Sequence, residues 1–264
     1  MSTVRLRPDS PEDGGASVSA ARSGSNDQFD WDLFDSDAYC AHNYRAVRDD
    51  DRQILATVRD FFAAADIAPT ARGVDVGSGA NLYPALGMLP FCAHLDLWEY
   101  SASNVAWLRR QVAGFDDNWL DFWQLYQENP VYRGLTDPRG ALTERTEVHQ
   151  ASVFDLPARA WDVGTMFFVA CSLSTDLAEF RRAVQTFVRA LRPGAPFATA
   201  FMVKSQGYHV GERWFPAVAI DADEVRQCLA SVATGSVVTQ VDVGDPLRDG
   251  YGGMIVAIGR AADL

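Results

Sequence analysis

Hydrophobic positions change period several times along this chain, and each change predicts an element. Ile54, Leu55, Val58, Phe61 and Phe62 recur at helical spacing and predict an amphipathic helix. After Pro69 the period shortens: Val74 and Val76 predict a strand, glycines follow, and Leu82, Leu86 and Leu89 return to helical spacing. Leu95, Leu97 and Glu99 alternate through a second strand, and Val105, Leu108 and Val112 mark a helix from about Ser103. From Phe115 to Arg145 the pattern is less regular and aromatic, with Trp119, Phe122, Trp123 and Tyr126. Strands are predicted near Glu147–His149, over Trp161–Ala170 and over Phe197–Val203, with a helix Leu177–Leu191 stopped by Arg192-Pro193-Gly194. A helix from about Asp221 and β-rich runs at Ser236–Val243 and Met254–Ile258 complete the series. Strand and helix in alternation predict an α/β fold with a doubly wound, mostly parallel seven-stranded sheet. The last two strands have only a loop between them, which predicts a C-terminal antiparallel hairpin.

Composition narrows the partners. The 264 residues carry a formal net charge of −12, which repels nucleic acid and anionic membrane surfaces and favours a small-molecule acceptor. Cys40, Cys92, Cys171 and Cys228 are scattered without metal-ligand spacing, so no metal site and no disulfide framework is expected. No stretch approaches the apolar length of a membrane span, and the chain reads as cytoplasmic, a monomer or homodimer. Residues 1–28, rich in Ser, Gly, Ala, Pro and Asp, are expected to be a disordered leader. Residues 29–264 would form one domain whose first part, about 29–66, is a helical lid.

The chemistry concentrates after the first strand. Asp75-Val76-Gly77-Ser78-Gly79 is a glycine turn of the kind that lets a ligand lie against bare backbone. Glu99 stands twenty residues beyond Gly79, where a carboxylate accepts hydrogen bonds from ribose hydroxyls. A dinucleotide loop needs a third glycine, and Leu82 occupies its place. Asp75, at the strand terminus, is expected to look into the crevice and favour a cationic ligand such as S-adenosylmethionine.

Five segments together resemble the class I methyltransferases of the nicotinamide, phenylethanolamine and thioether type. They are DAYCAHNY, GVDVGSGANLY, WEYSASN, ALRPGAPF and KSQGYHVGERWFPAVAIDADEV, in family order between about Tyr39 and Gly259. The resemblance implies a Rossmann-like S-adenosylmethionine-dependent methyltransferase. It implies that Tyr39 and Tyr44 close over the cofactor and that Gly77, Ser78 and Gly79 underlie its methionine part. Asn81 and Tyr83 would lie beside its carboxylate, Glu99 on the ribose, and Tyr100 and Asn104 near the adenosine. Ser152 and Val153 would meet adenine, with Phe167 passing close by. Glu99 and Ser152 stand where the family has Asp. Phe201 replaces a substrate-binding Asp and Ala217 a substrate-contacting Ser, so nicotinamide is not expected as substrate. The acceptor pocket would comprise Phe168, Cys171, Phe201, Tyr208, Trp214 and Phe215, with Tyr208 and His209 as the candidate catalytic groups.

Methyl transfer from a sulfonium neutralises charge, so alignment and a dry pocket suffice without a strong base. An N-methyltransferase acting on an amine or aromatic heterocycle is the leading expectation. A C- or O-methyltransferase acting on an indole, phenol or prenyl-like acceptor is the alternative. A non-catalytic adenosine-ligand module or a nicotinamide-cofactor oxidoreductase is a further one.

Overall fold

The structure, a computed structural model, describes residues 23–241 and 252–264. Two helices, α1 (Ser36–Asn43) and α2 (Asp49–Ala63), precede β1 (Ala71–Val76), α3 (Tyr83–Met88) and β2 (Cys92–Glu99). Four helices follow, α4 (Ala102–Ala113), α5 (Asn118–Tyr126), α6 (Pro130–Arg133) and α7 (Pro138–Arg145), before β3 (Thr146–Gln150). Then come β4 (Val163–Phe167), α8 (Leu177–Ala190), β5 (Pro196–Met202) and a small hairpin of β6 (Tyr208–Val210) and β7 (Arg213–Phe215). The described elements end with α9 (Ala222–Ala230), β8 (Ala233–Val241) and β9 (Met254–Ala261).

Seven strands form one sheet in the order β3-β2-β1-β4-β5-β9-β8, with β6 and β7 paired apart from it. The first five run parallel, and β9 lies antiparallel between β5 and β8. Strand order reverses between β1 and β4, which opens a crevice at their carboxyl ends. The sheet is thus the expected Rossmann-like one, with its C-terminal hairpin. On α8, Phe180, Ala183, Val184, Phe187 and Val188 share the buried stripe that the sequence spacing predicts, and the Asp176 carboxylate caps the first turn at Ala178 N.

Two expectations are corrected. The segment Phe115–Arg145 is not irregular but three helices: Trp119, Phe122, Trp123 and Tyr126 bury one face of α5 at spacings of three and four. The leader boundary at residue 28 falls too late. Asn26–Gln28 form a 3-10 turn, and Gly24 N donates to Thr175 Oγ1 (2.9 Å) and Asn26 N to Glu179 Oε2 (2.9 Å). The rest of the expected leader, residues 1–22, and the last two residues of the run Ser236–Val243 lie outside the described residues.

Candidate functional site

At the switch point the chain leaves β1 through a turn that only glycine fits comfortably. Gly77 has φ +64, and a Cβ there would collide with the Val169 side chain. Gly79 has φ +51, with Glu99 and Asn104 within van der Waals contact of the place a Cβ would take. The turn is tied to the next strand, since Gly77 N donates to Trp98 O (2.6 Å) and Gly79 N to Glu99 Oε2 (2.8 Å). Ser101 N donates to Glu99 Oε1 (2.8 Å), and the Asn104 side chain and the Tyr100 backbone also face this carboxylate. Burial pushes the Glu99 pKa above its ordinary value, against the hydrogen bonds from Ser101 and Gly79.

This turn floors a cleft that is partly open to solvent. Gly77, Ser78, Gly79, Asn81, Glu99, Tyr100, Asn104, Ser152, Val153 and Phe167 all line it. Asn81 places a buried Nδ2 there with no hydrogen-bond partner, while its Oδ1 accepts from Tyr83 N. An orphaned donor at the glycine turn, with an acceptor carboxylate across from it, fits the carboxylate and ribose of S-adenosylmethionine. Ser152 turns its hydroxyl to cap Phe154 N (3.2 Å) and its carbonyl to Trp98 Nε1 (2.9 Å).

The N-terminal segment roofs the cleft with Trp31, Phe34, Tyr39 and Tyr44. Ser101 Oγ donates to Trp31 O (2.8 Å) and Ser103 Oγ to Phe34 O (3.0 Å), which straps the roof to α4. Tyr39 meets Tyr44 and Tyr208 edge-on, with ring centroids 6.1 and 6.3 Å apart. Phe168 also lines the cleft, in a left-handed conformation, φ +62, held by its N–H on Ala200 O (2.7 Å). Val169, Ser172, Leu173 and Tyr208 line it as well.

Several expected site residues lie elsewhere. Phe201 is fully buried on the face of β5 that packs under α8, its ring 5.5 Å from Phe180. Cys171 is buried, its Sγ accepting from Met202 N. Phe215 forms a layer behind the wall, stacked on Trp31 (5.4 Å) and Tyr208 (5.8 Å). Trp214 packs on Phe29 (6.0 Å), and His209 is exposed because it alternates with Tyr208 along β6. Tyr83 stacks on Phe122 (5.4 Å) and donates its hydroxyl to Asp51 Oδ1 (3.1 Å). Asp75 lies beneath the turn, accepting from Thr165 Oγ1 (2.6 Å), and does not line the cleft. Helical spacing does not reveal the roof residues Asn26, Trp31 and Phe34, because they sit in short 3-10 turns and extended chain. The run of aromatics around them is their one signal.

Burial pushes both Asp75 and Asp51 up to about 7. Their folded pKa values exceed their unfolded ones, so their contribution to stability is full below pH about 4 and is lost as pH rises through about 7. Asp51→Asn should therefore flatten the decline in stability between these limits, as measured by urea melts at several pH values. A decline identical to wild type would show that Asp51 is already ionised in the fold.

The family model described as NNMT/PNMT/TEMT family matches residues 25–247. Phenylethanolamine N-methyltransferase of Sus scrofa is 26% identical over 231 residues, covering 75% of this chain and 76% of that protein. Indolethylamine N-methyltransferase of Oryctolagus cuniculus is 24% identical over 170 residues, covering 59% and 63%. Among solved structures, the [4+2]-cyclase SpnF superposes with a TM-score of 0.53 at 16% identity, covering 93% of this chain and 99% of that one. The glycopeptide N-methyltransferase MtfA complexed with S-adenosylhomocysteine gives 0.50 at 12% identity, covering 78% and 89%. At these identities the solved structures bear on the fold alone.

Proposed function

Since the chain belongs to the NNMT/PNMT/TEMT family and is an S-adenosylmethionine-dependent methyltransferase, we propose that it methylates a weakly basic nitrogen on a small, flat acceptor other than nicotinamide. One observation carries the acceptor class: of the described residues lining the cleft, Glu99 is the sole carboxylate, and it belongs to the ribose end. An ammonium or a carboxamide would find no carboxylate at the aromatic end to accept its N–H groups, at a cost of about 1–3 kcal/mol. A neutral aryl or heteroaromatic nitrogen needs no such acceptor.

The bound cofactor supplies a methyl group on a positively charged sulfur. Glu99 would accept from the ribose and Asn81 would donate to the amino-acid end, holding the donor along the turn. Tyr39, Phe168 and Tyr208 hold the acceptor plane by ring contact, and the Tyr208 hydroxyl orients its polar edge. The roof of Trp31, Phe34 and Tyr44 excludes water from the charge-neutralising step.

Transfer of labelled methyl groups to a panel of aryl amines, heteroaromatics, alkyl amines, phenols and indoles tests this reading. Turnover confined to phenolic oxygen or ring carbon would replace nitrogen by those atoms, and efficient methylation of nicotinamide would refute the acceptor class. S-adenosylhomocysteine should also raise the melting temperature while NAD leaves it unchanged. The reverse result would remove the cofactor assignment.

No span is predicted in the described residues either: no helix among them is long and apolar enough to cross a membrane.

A further inference from the structure

At the far edge of the sheet, away from the acceptor end of the cleft, four ligand-type side chains share one face of two parallel strands. His94 and Asp96 alternate along β2, Glu147 and His149 along β3, and the register pairs Asp96 with Glu147 and Trp98 with His149. Side chains two apart on a strand point to the same side, so the motifs His-x-Asp and Glu-x-His converge. We propose that His94, Asp96, Glu147 and His149 form a site for a divalent transition-metal ion such as Zn²⁺.

The geometry supports this. His94 Nε2 lies 3.0 Å and His149 Nε2 2.7 Å from the same oxygen, Asp96 Oδ1. Glu147 Oε2 lies 3.9 Å from His149 Nε2. The ligand atoms of His94, Asp96 and Glu147 all fall within 4.8 Å of one another. A tetrahedral zinc site with bonds of about 2.0–2.1 Å separates its ligands by about 3.3 Å. Among His94, Asp96 and Glu147 the spacings bracket that value, while His149 joins the set through Asp96 and Glu147 and its ring must turn further to complete it.

The supporting contacts are those a metal carboxylate needs. Asp96 is fully buried, and its second oxygen, Oδ2, accepts from Arg72 Nε (2.7 Å) and Trp161 Nε1 (2.5 Å). Those bonds fix the carboxylate with Oδ1 turned toward the histidines, as outer-shell donors orient a monodentate ligand. Trp98 packs against the His149 ring at 5.4 Å and limits its rotation. Glu147 brings a second carboxylate whose described partner is His149 alone. With neutral histidines, Asp96, Glu147 and Arg72 leave the cluster one negative charge, which a cation offsets. Imidazole and carboxylate ligands suit zinc, cobalt and nickel better than magnesium or calcium.

Chelator-treated, untagged full-length protein is titrated with Co²⁺ followed by visible absorption, and with Zn²⁺ by calorimetry. One equivalent should bind each time, and Zn²⁺ should raise the melting temperature. His94→Gln, His149→Gln and Glu147→Gln should each weaken binding at least about tenfold. The His94→Gln/His149→Gln double variant should abolish it. Glu147 is exposed and His94 half-exposed, so their variants retain the fold. No saturable binding to wild type, or binding unaltered in the double variant, overturns the proposal: the cluster is then a hydrogen-bonded network that neutralises Asp96.

Discussion

Phe201→Ala should destabilise the fold by about 3–5 kcal/mol, the range for truncating a buried phenylalanine. The ring has no solvent exposure and packs edge-on to Phe180, on the same face of β5 from which Phe197 meets Phe187 at 6.1 Å. Removing it opens a cavity between sheet and α8, where close packing on both sides limits collapse. Phe168→Ala should behave differently. It removes a ring that lines the cleft, so the acceptor's Michaelis constant should rise while cofactor affinity changes little. Chemical denaturation and steady-state kinetics on the two variants separate these effects. A Phe201 variant as stable as wild type but with weakened acceptor binding would place this ring in the acceptor wall after all.

Glu99→Gln should weaken S-adenosylhomocysteine by roughly ten- to 150-fold, corresponding to about 1.5–3 kcal/mol for hydrogen bonds to a charged acceptor. Glutamine keeps one carbonyl oxygen for one of the two amides but presents donors where the ribose also donates. Glu99→Ala should lose cofactor affinity and stability together. Gly79 N and Ser101 N would both be left without their acceptor, at about 1–3 kcal/mol for each N–H that stays buried. Titration calorimetry beside thermal melts reads both quantities. Unchanged affinity in a folded Glu99→Gln would move the ribose away from this carboxylate.

The cofactor end of the cleft was legible because its requirements are local. A strand, a turn that needs positive φ at Gly77 and Gly79, and a carboxylate at the end of the next strand lie within one short stretch of chain. Parallel pairing of β1 with β2 then brings Gly79 and Glu99 together with little freedom left. Asp75 sits in that same stretch, yet its carboxyl turns beneath the loop to Thr165 of β4 rather than into the cleft. That depended on a neighbour ninety residues away.

The acceptor end was less legible for a reason specific to central strands. Every residue of β5 is buried, so polar and apolar positions do not alternate and nothing in its sequence tells the helix-covered face from the other. Phe201 and its neighbours could face α8 or the cleft until α8 was docked. Along β6 the alternation of half-buried Tyr208 with exposed His209 is visible, but which of them meets the ligand depended on where Trp31 and Tyr39 stack. Period and turn chemistry act over a few residues and therefore determined the order of elements, the sheet and the cofactor turn. The faces of β5, the roof brought in by residues 24–44 and the convergence of His94, Asp96, Glu147 and His149 were decided by tertiary packing, because each joins segments whose separation in the chain leaves no local trace.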